Sequence, residues 1–212
     1  ARGAFGIAMW PINASQVLET YGEEFVKKIN EKRIGAKEYP YIANTRLYIQ
    51  PDLAVEQMLT GKPYPIKGTY IQTSNLLGGN AADLNKHHRA LMNMEFNVVV
   101  DVFHNPTTMA IADIVLPAAC FTERNSIRVW HTPAQAIRKL TEPRGEARND
   151  WEINFELALR FNPELRKKYS KVEDFFDEKL KPTGYTFKEL IEHGGSVFEK
   201  EGVSVPYYRH ET

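Results

Sequence analysis

GTYIQT (Gly68–Thr73), closed by Ser74-Asn75-Leu76-Leu77-Gly78-Gly79-Asn80, and NVVV (Asn97–Val100), closed by Asp101, decide how this chain folds. Val98, Val99 and Val100 form a β-branched run without polar alternation, the pattern of a strand buried on both faces. Ile114-Val115-Leu116 repeats it, and the strand is expected to continue to Ala119. Between the first two strands a helical run opens at Ala81, with Asn80 as its cap and Leu84, His88, Leu91 and Met92 on its inner face. Strands alternating with helices predict an α/β unit built on a mostly parallel sheet.

In such sheets ligands sit beyond the carboxyl ends of the strands, where loops and helix starts converge. Asn75 is placed to bond a ribose or phosphate, Gly78 and Gly79 to let backbone approach a ligand, and Asp101 to accept from ribose hydroxyls or a guanine edge. The same residues also make ordinary turns and caps. The loop His104-Asn105-Pro106-Thr107-Thr108 brings an amide and two hydroxyls to the start of a short helix, Thr107–Ala112, suited either to a nucleotide or to plain capping. His104 has no evident partner. Further on, Arg124 is a charge-assisted donor for a diphosphate, Gln135 can bond a base or pterin through both ends of its amide, and Asp150 can cap the next helix.

Outside this stretch, Val17, Leu18, Tyr21, Phe25, Val26 and Ile29 predict an amphipathic helix from Ser15 to about Arg33, capped by Asn13 or Ser15. A second helix, Asp52–Thr60, follows Pro51 and stops at Gly61. Asp150 opens a helix whose Trp151, Phe155, Ala158 and Leu159 share a face. Helices are also expected at Val172–Leu180 and Phe187–His193, the latter with a Thr186/Glu189 capping box and Gly194 as its stop. Val197–Thr212 reads as an extended tail.

Twenty-seven basic residues balance 27 acidic ones over 212 positions, so no basic footprint points to nucleic acid. No run of eighteen apolar residues offers a membrane span. One cysteine, Cys120, excludes an internal disulfide and a cysteine-rich metal centre in these residues, and it reads as a small buried hydrophobe. His87 and His88 are adjacent, about 100° apart on a helix, and cannot chelate a metal together.

Asn97 to Pro117, NVVVDVFHNPTTMAIADIVLP, resembles the strand, acidic loop and ADxVLP segment of molybdopterin oxidoreductases of the dimethyl sulfoxide reductase family. PYPIK (Pro63–Lys67), FTER (Phe121–Arg124) and EPRGEARNDW (Glu142–Trp151) resemble further family segments in the same order, and the ending VPYYRHET resembles the approach to a C-terminal barrel. The resemblance implies a Rossmann-like dinucleotide-binding topology with helical flanks at both ends. Residues 1–62 would be a helical connecting segment, 63–162 the cofactor-binding domain, and 163–212 a helical segment and extended tail leading to the barrel. It implies molybdopterin guanine dinucleotide with molybdenum or tungsten, and an iron-sulfur cluster in the parent enzyme but not in this chain.

The implied cofactor contacts are Ser74, Asn75, Val100, Asp101, Asn105, Arg124, Gln135 and Asp150, with no catalytic or metal-ligating residue among them. Asp101 and Asp150 are the acidic residues for the guanosine. Leu76 in place of the usual Pro, and Thr73 in place of Gly, depart from the family's Gly-x-Asn-Pro. Opening on Ala1, the chain is expected to be an internal piece, silent alone, of a prokaryotic enzyme for two-electron redox or oxygen-atom transfer, cytoplasmic or exported and membrane-associated. Expected partners are the remaining domains of the same polypeptide and an electron-transfer iron-sulfur subunit. Alternatives are a non-catalytic homologous domain of a respiratory dehydrogenase iron-sulfur subunit and a self-standing nucleotide-binding or interaction module.

Overall fold

The computed structural model describes residues 22–40, 49–129 and 134–197. The chain divides into two units, Ser15–Ala118 and Ala119–Thr212 with Ala1–Ala14, so the span 63–162 takes in residues of both.

In the first unit, α1 (Glu23–Asn30) carries acids in its first turn and lysines in its last, matching the helix dipole. The residues from Ser15 to Tyr21, and the caps expected at Asn13 or Ser15, lie outside the described residues. Helix α2 (Pro51–Thr60) has Pro51 at its first position and ends on Gly61, whose φ of 68° is the left-handed stop the sequence predicts. Strands β1 (Gly68–Gln72), β2 (Phe96–Asp101) and β3 (Ile114–Pro117) form a parallel sheet with β2 in the centre. Helices α3 (Leu84–Met92) and α4 (Pro106–Ile111) make the two crossovers.

Four expectations are corrected by the structure. Helix α3 starts three residues later than Ala81, because Asp83 rather than Asn80 caps it, accepting from Lys86 N at 2.9 Å. Its inner face carries Ala90 and Leu91, while Leu84, His88 and Met92 are exposed. The double burial predicted for two strands holds for β2, where Val99 and Val100 are fully buried, and fails for β3, whose Ile114 is 44% exposed at the sheet edge. Strand β3 also ends at Pro117, short of Ala119.

Ile71, Leu91, Val99 and Ile111 form this unit's core, and Leu76 and Leu77 pack against it. Burying such a side chain contributes roughly 1.5–3 kcal/mol. At the opposite end of the sheet, buried Asn97 donates to Leu91 O (3.1 Å) and accepts from the Thr69 hydroxyl (2.6 Å). Its backbone N–H donates to the Asp113 carboxylate at 2.7 Å, and its carbonyl accepts from Asp113 N. The Asp of ADIVLP is therefore a strand-start anchor.

The second unit holds β4 (Ser126–Arg128), β5 (Ala134–Ile137) and β6 (Ser196–Val197) in an antiparallel sheet. This departs from a mostly parallel fold. Helices α5 (Asp150–Phe161), α6 (Val172–Leu180) and α7 (Phe187–Glu192) accompany it. Ile127, Phe176, Leu180 and Leu190 centre its core, with Trp151 edge-on to Phe176 at 5.4 Å. The Thr186/Glu189 capping box forms as predicted, and Gly194 takes φ 99° just beyond α7.

Candidate functional site

Strand β1 leaves the sheet through Thr73, whose N–H still reaches Val100 O at 3.0 Å. Thr73 has φ 53°, left-handed backbone that a β-branched residue rarely adopts and glycine adopts freely. Ser74 and Asn75 follow, half-buried, and a single wide π-type turn, Leu76–Asn80, carries the chain toward α3.

Asn75 does not stand alone in this loop. Its Oδ1 accepts from the Thr107 hydroxyl at 3.0 Å, and the same hydroxyl accepts from Leu77 N at 2.8 Å. A Cβ on Gly78 would fall 2.1 Å from Asn75 Nδ2, so this glycine makes room for Asn75. A Cβ on Gly79 would meet nothing within 4 Å, which leaves backbone open there.

Asp101 ends β2, half-buried. One oxygen accepts from Phe103 N at 3.1 Å and the other from Asn105 Nδ2 at 2.8 Å, which fixes the carboxylate plane. Asn105 caps α4, accepting through Oδ1 from Thr108 N (3.0 Å) and the Thr108 hydroxyl (3.2 Å). Thr107 and Thr108 are buried, so the two hydroxyls expected to meet a ligand are turned inward. Val100 is fully buried in the core, which leaves only its backbone to touch anything. His104 is exposed.

Four predicted positions, Ser74, Asn75, Asp101 and Asn105, thus gather with Val100 at the carboxyl ends of β1 and β2. The other three lie in the second unit. Arg124 Nη1 donates to Asp150 Oδ2 at 2.6 Å, with side chains 24% and 13% exposed. Asp150 is the first residue of α5, and the cap is Asn149, accepting from Trp151 N at 3.1 Å and donating to Asn125 O at 2.8 Å. That corrects the expected cap, and two adjacent cap-forming residues left the choice open in the sequence. Gln135 uses both ends of its amide on cross-strand neighbours, Arg128 and Ser196, each at 3.4 Å. Cys120 is half-buried and its backbone N–H donates to Glu123 Oε2 at 2.9 Å.

Residues missed from the sequence are Asn149 and the pairing of Gly78 with Asn75. Only the glycine doublet after a strand gave any signal for the latter. Among the described residues no group of three or more His, Cys, Asp or Glu is placed to hold a metal ion. Among them too, no helix is long and apolar enough to cross a membrane.

Each Asp101 oxygen keeps acceptor capacity after one bond, which a guanine or ribose donor can use. In the second unit, Arg124 Nε is buried with no hydrogen-bond partner.

The family model for molybdopterin oxidoreductases matches residues 6–160. The chain belongs to the molybdopterin oxidoreductases of the dimethyl sulfoxide reductase family. The chain is 34% identical over 161 residues to the F420-dependent formate dehydrogenase subunit alpha of Methanocaldococcus jannaschii, covering 74% of the chain and 24% of that protein. It is 29% identical to the acetylene hydratase of Syntrophotalea acetylenica, over 95% of the chain and 34% of the relative. It is 32% identical to the trimethylamine-N-oxide reductase of Vibrio cholerae, over 60% and 17%. The solved structure of acetylene hydratase from Pelobacter acetylenicus shares the fold, with a TM-score of 0.71 at 21% identity over 90% of the chain and 29% of that structure. The molybdopterin oxidoreductase chain thus spans about a quarter to a third of the first of these relatives.

Proposed function

We propose that this region holds the guanosine and phosphate part of one molybdopterin guanine dinucleotide at the carboxyl edge of the parallel sheet. The parent enzyme would use the pterin-bound molybdenum or tungsten for two-electron redox or oxygen-atom transfer, chemistry that belongs to the cofactor when bound. The observation that carries the reading is Asp101, held in a fixed plane at the end of β2 by Phe103 N and Asn105. A carboxylate so oriented accepts from the N–H edge of guanine or from ribose hydroxyls without first being ordered. Relatives named as a dehydrogenase, a hydratase and a reductase share this region. A part common to such different reactions is better suited to gripping a common cofactor than to choosing a substrate.

The remaining roles follow from placement. Ser74 and the open backbone at Gly79 would meet the ligand from the β1 side. Asn105 would hold Asp101 in position. Arg124 and Asp150 form an ion pair within the second unit, where the remaining donors of Arg124 suit a phosphate. The strand order with two helical crossovers is compatible with one half of a Rossmann-like unit. Because the reaction belongs to the bound cofactor, the region expressed by itself would turn over no substrate.

The test is to purify the full-length parent protein anaerobically, release nucleotide with acid and measure GMP and metal in the wild type, Asp101→Ala and Asp150→Ala. About two GMP per metal ion in the wild type, with GMP lost in Asp101→Ala, is the expected outcome. A wild type with neither GMP nor metal would sink the proposal.

A further inference from the structure

We infer that Asn75, Gly78 and Thr107 form a latch that holds the loop after β1 against α4, and that Asn75 is a positioning residue rather than a ligand contact. The Thr107 hydroxyl is fully buried and has both roles filled by the loop: it donates to Asn75 Oδ1 and accepts from Leu77 N. A hydroxyl so used has its proton committed and cannot turn to a ligand. Gly78 completes the seat. A Cβ there would stand 2.1 Å from Nδ2 and 2.5 Å from both Cγ and Oδ1 of Asn75, far inside contact distance. The requirement at Gly78 is for space, whereas Gly79 next to it has nothing nearby. Gly78 N closes the turn on Asn75 O at 3.2 Å, and Leu76 and Leu77 fasten the segment to the core.

The latch joins the loop after β1 to the first turn of α4, 30 residues on in sequence from Leu77 to Thr107. A loop ordered before the ligand arrives costs the complex less than one ordered on binding. Asn75 therefore acts through the loop it holds. Its effect on nucleotide rests on the reading proposed above, but the latch itself does not.

The test is a cycle of Asn75→Ala, Thr107→Val and the double variant in the full-length protein, with Thr107→Ser as the conservative rescue. Two readouts are followed, hydrogen exchange at the Leu77 amide and affinity for GMP as the probe. Thr107→Val is expected to lower Leu77 protection and Thr107→Ser to restore it. Each single variant is expected to weaken GMP about tenfold, and the double variant also about tenfold, because both break one device. A double variant near a hundredfold would mean that Asn75 touches the ligand itself, and the inference would fall. Unchanged Leu77 exchange in Thr107→Val would overturn the latch outright. If wild type binds no GMP while Leu77 exchange responds as expected, the latch stands and the nucleotide reading fails.

Discussion

At the scale of single residues, Thr73 and Asp101 show what a sequence reveals of a site and what it conceals. Asp101 was legible because a β-branched run ending in an acid marks the end of a buried strand. Asn75 was legible as a polar residue in the loop after β1, but its bond to Thr107 was not, since no local pattern reports a partner 32 residues away. Thr73 was visible only as a departure from the family pattern. In the structure Thr73 takes left-handed backbone, at φ 53°. Such backbone costs a β-branched residue about 1–3 kcal/mol, and glycine gives back roughly 0.5–1 kcal/mol through its freer unfolded chain. Thr73→Gly is therefore expected to stabilise the protein by about 0.5–2 kcal/mol in urea unfolding, with an unchanged m-value. A destabilised variant would count against the strained turn.

At the scale of elements, helix ends were read well where one residue type dominates and poorly where neighbours compete. Gly61 and the Thr186/Glu189 box are of the first kind. Asn80 against Asp83, and Asn149 against Asp150, are of the second, because each pair offers two acceptors and tertiary contacts choose between them. The caps also carry a pH dependence. The Glu189 carboxyl is held below its ordinary range first by the Thr186 backbone N–H and then by its hydroxyl. Asp174 is lowered in the same direction by the Ser170 hydroxyl, with the Ser170 and Lys171 N–H groups adding to it. A carboxyl lowered in the folded state contributes fully above its unfolded pKa, and the contribution is lost as pH falls through the folded value. Protection of α6 and α7 amides should hold above about pH 5 and decline below it, through and beneath the ordinary carboxylate range. Glu189→Gln should flatten that decline at α7, measured by hydrogen exchange between pH 3 and 6. Equal slopes in the two proteins would show that the box does not couple to pH.

At the scale of the whole molecule, two cores and two sheets of opposite pattern are found among the described residues. The parallel sheet was legible, since its central strand is continuous and apolar. The antiparallel one was not: strands of three, four and two residues are too short to display a period of two. If the first unit grips a nucleotide, its binding should stabilise the native state as mass action requires. GMP at about 100 times its dissociation constant adds roughly 2.7 kcal/mol, or about 5–10 °C in Tm for a protein of this size. Differential scanning calorimetry of wild type and Asp101→Ala checks this, and an equal rise in both would remove Asp101 from the nucleotide site.

Asn97 sits at the far end of β2 from Asp101, yet it governs where that carboxylate lies. Its amide and backbone are keyed at once to Thr69, Leu91 and Asp113. If β2 slid by one residue, all of these bonds would break and Asp101 would travel about 3.3 Å and turn to the opposite face of the sheet. Each buried polar group left without a partner costs about 1–3 kcal/mol, so the misaligned sheet is heavily disfavoured. The strand works as a ruler with its zero mark at Asn97, and the accuracy of the ligand edge is set four residues away from it.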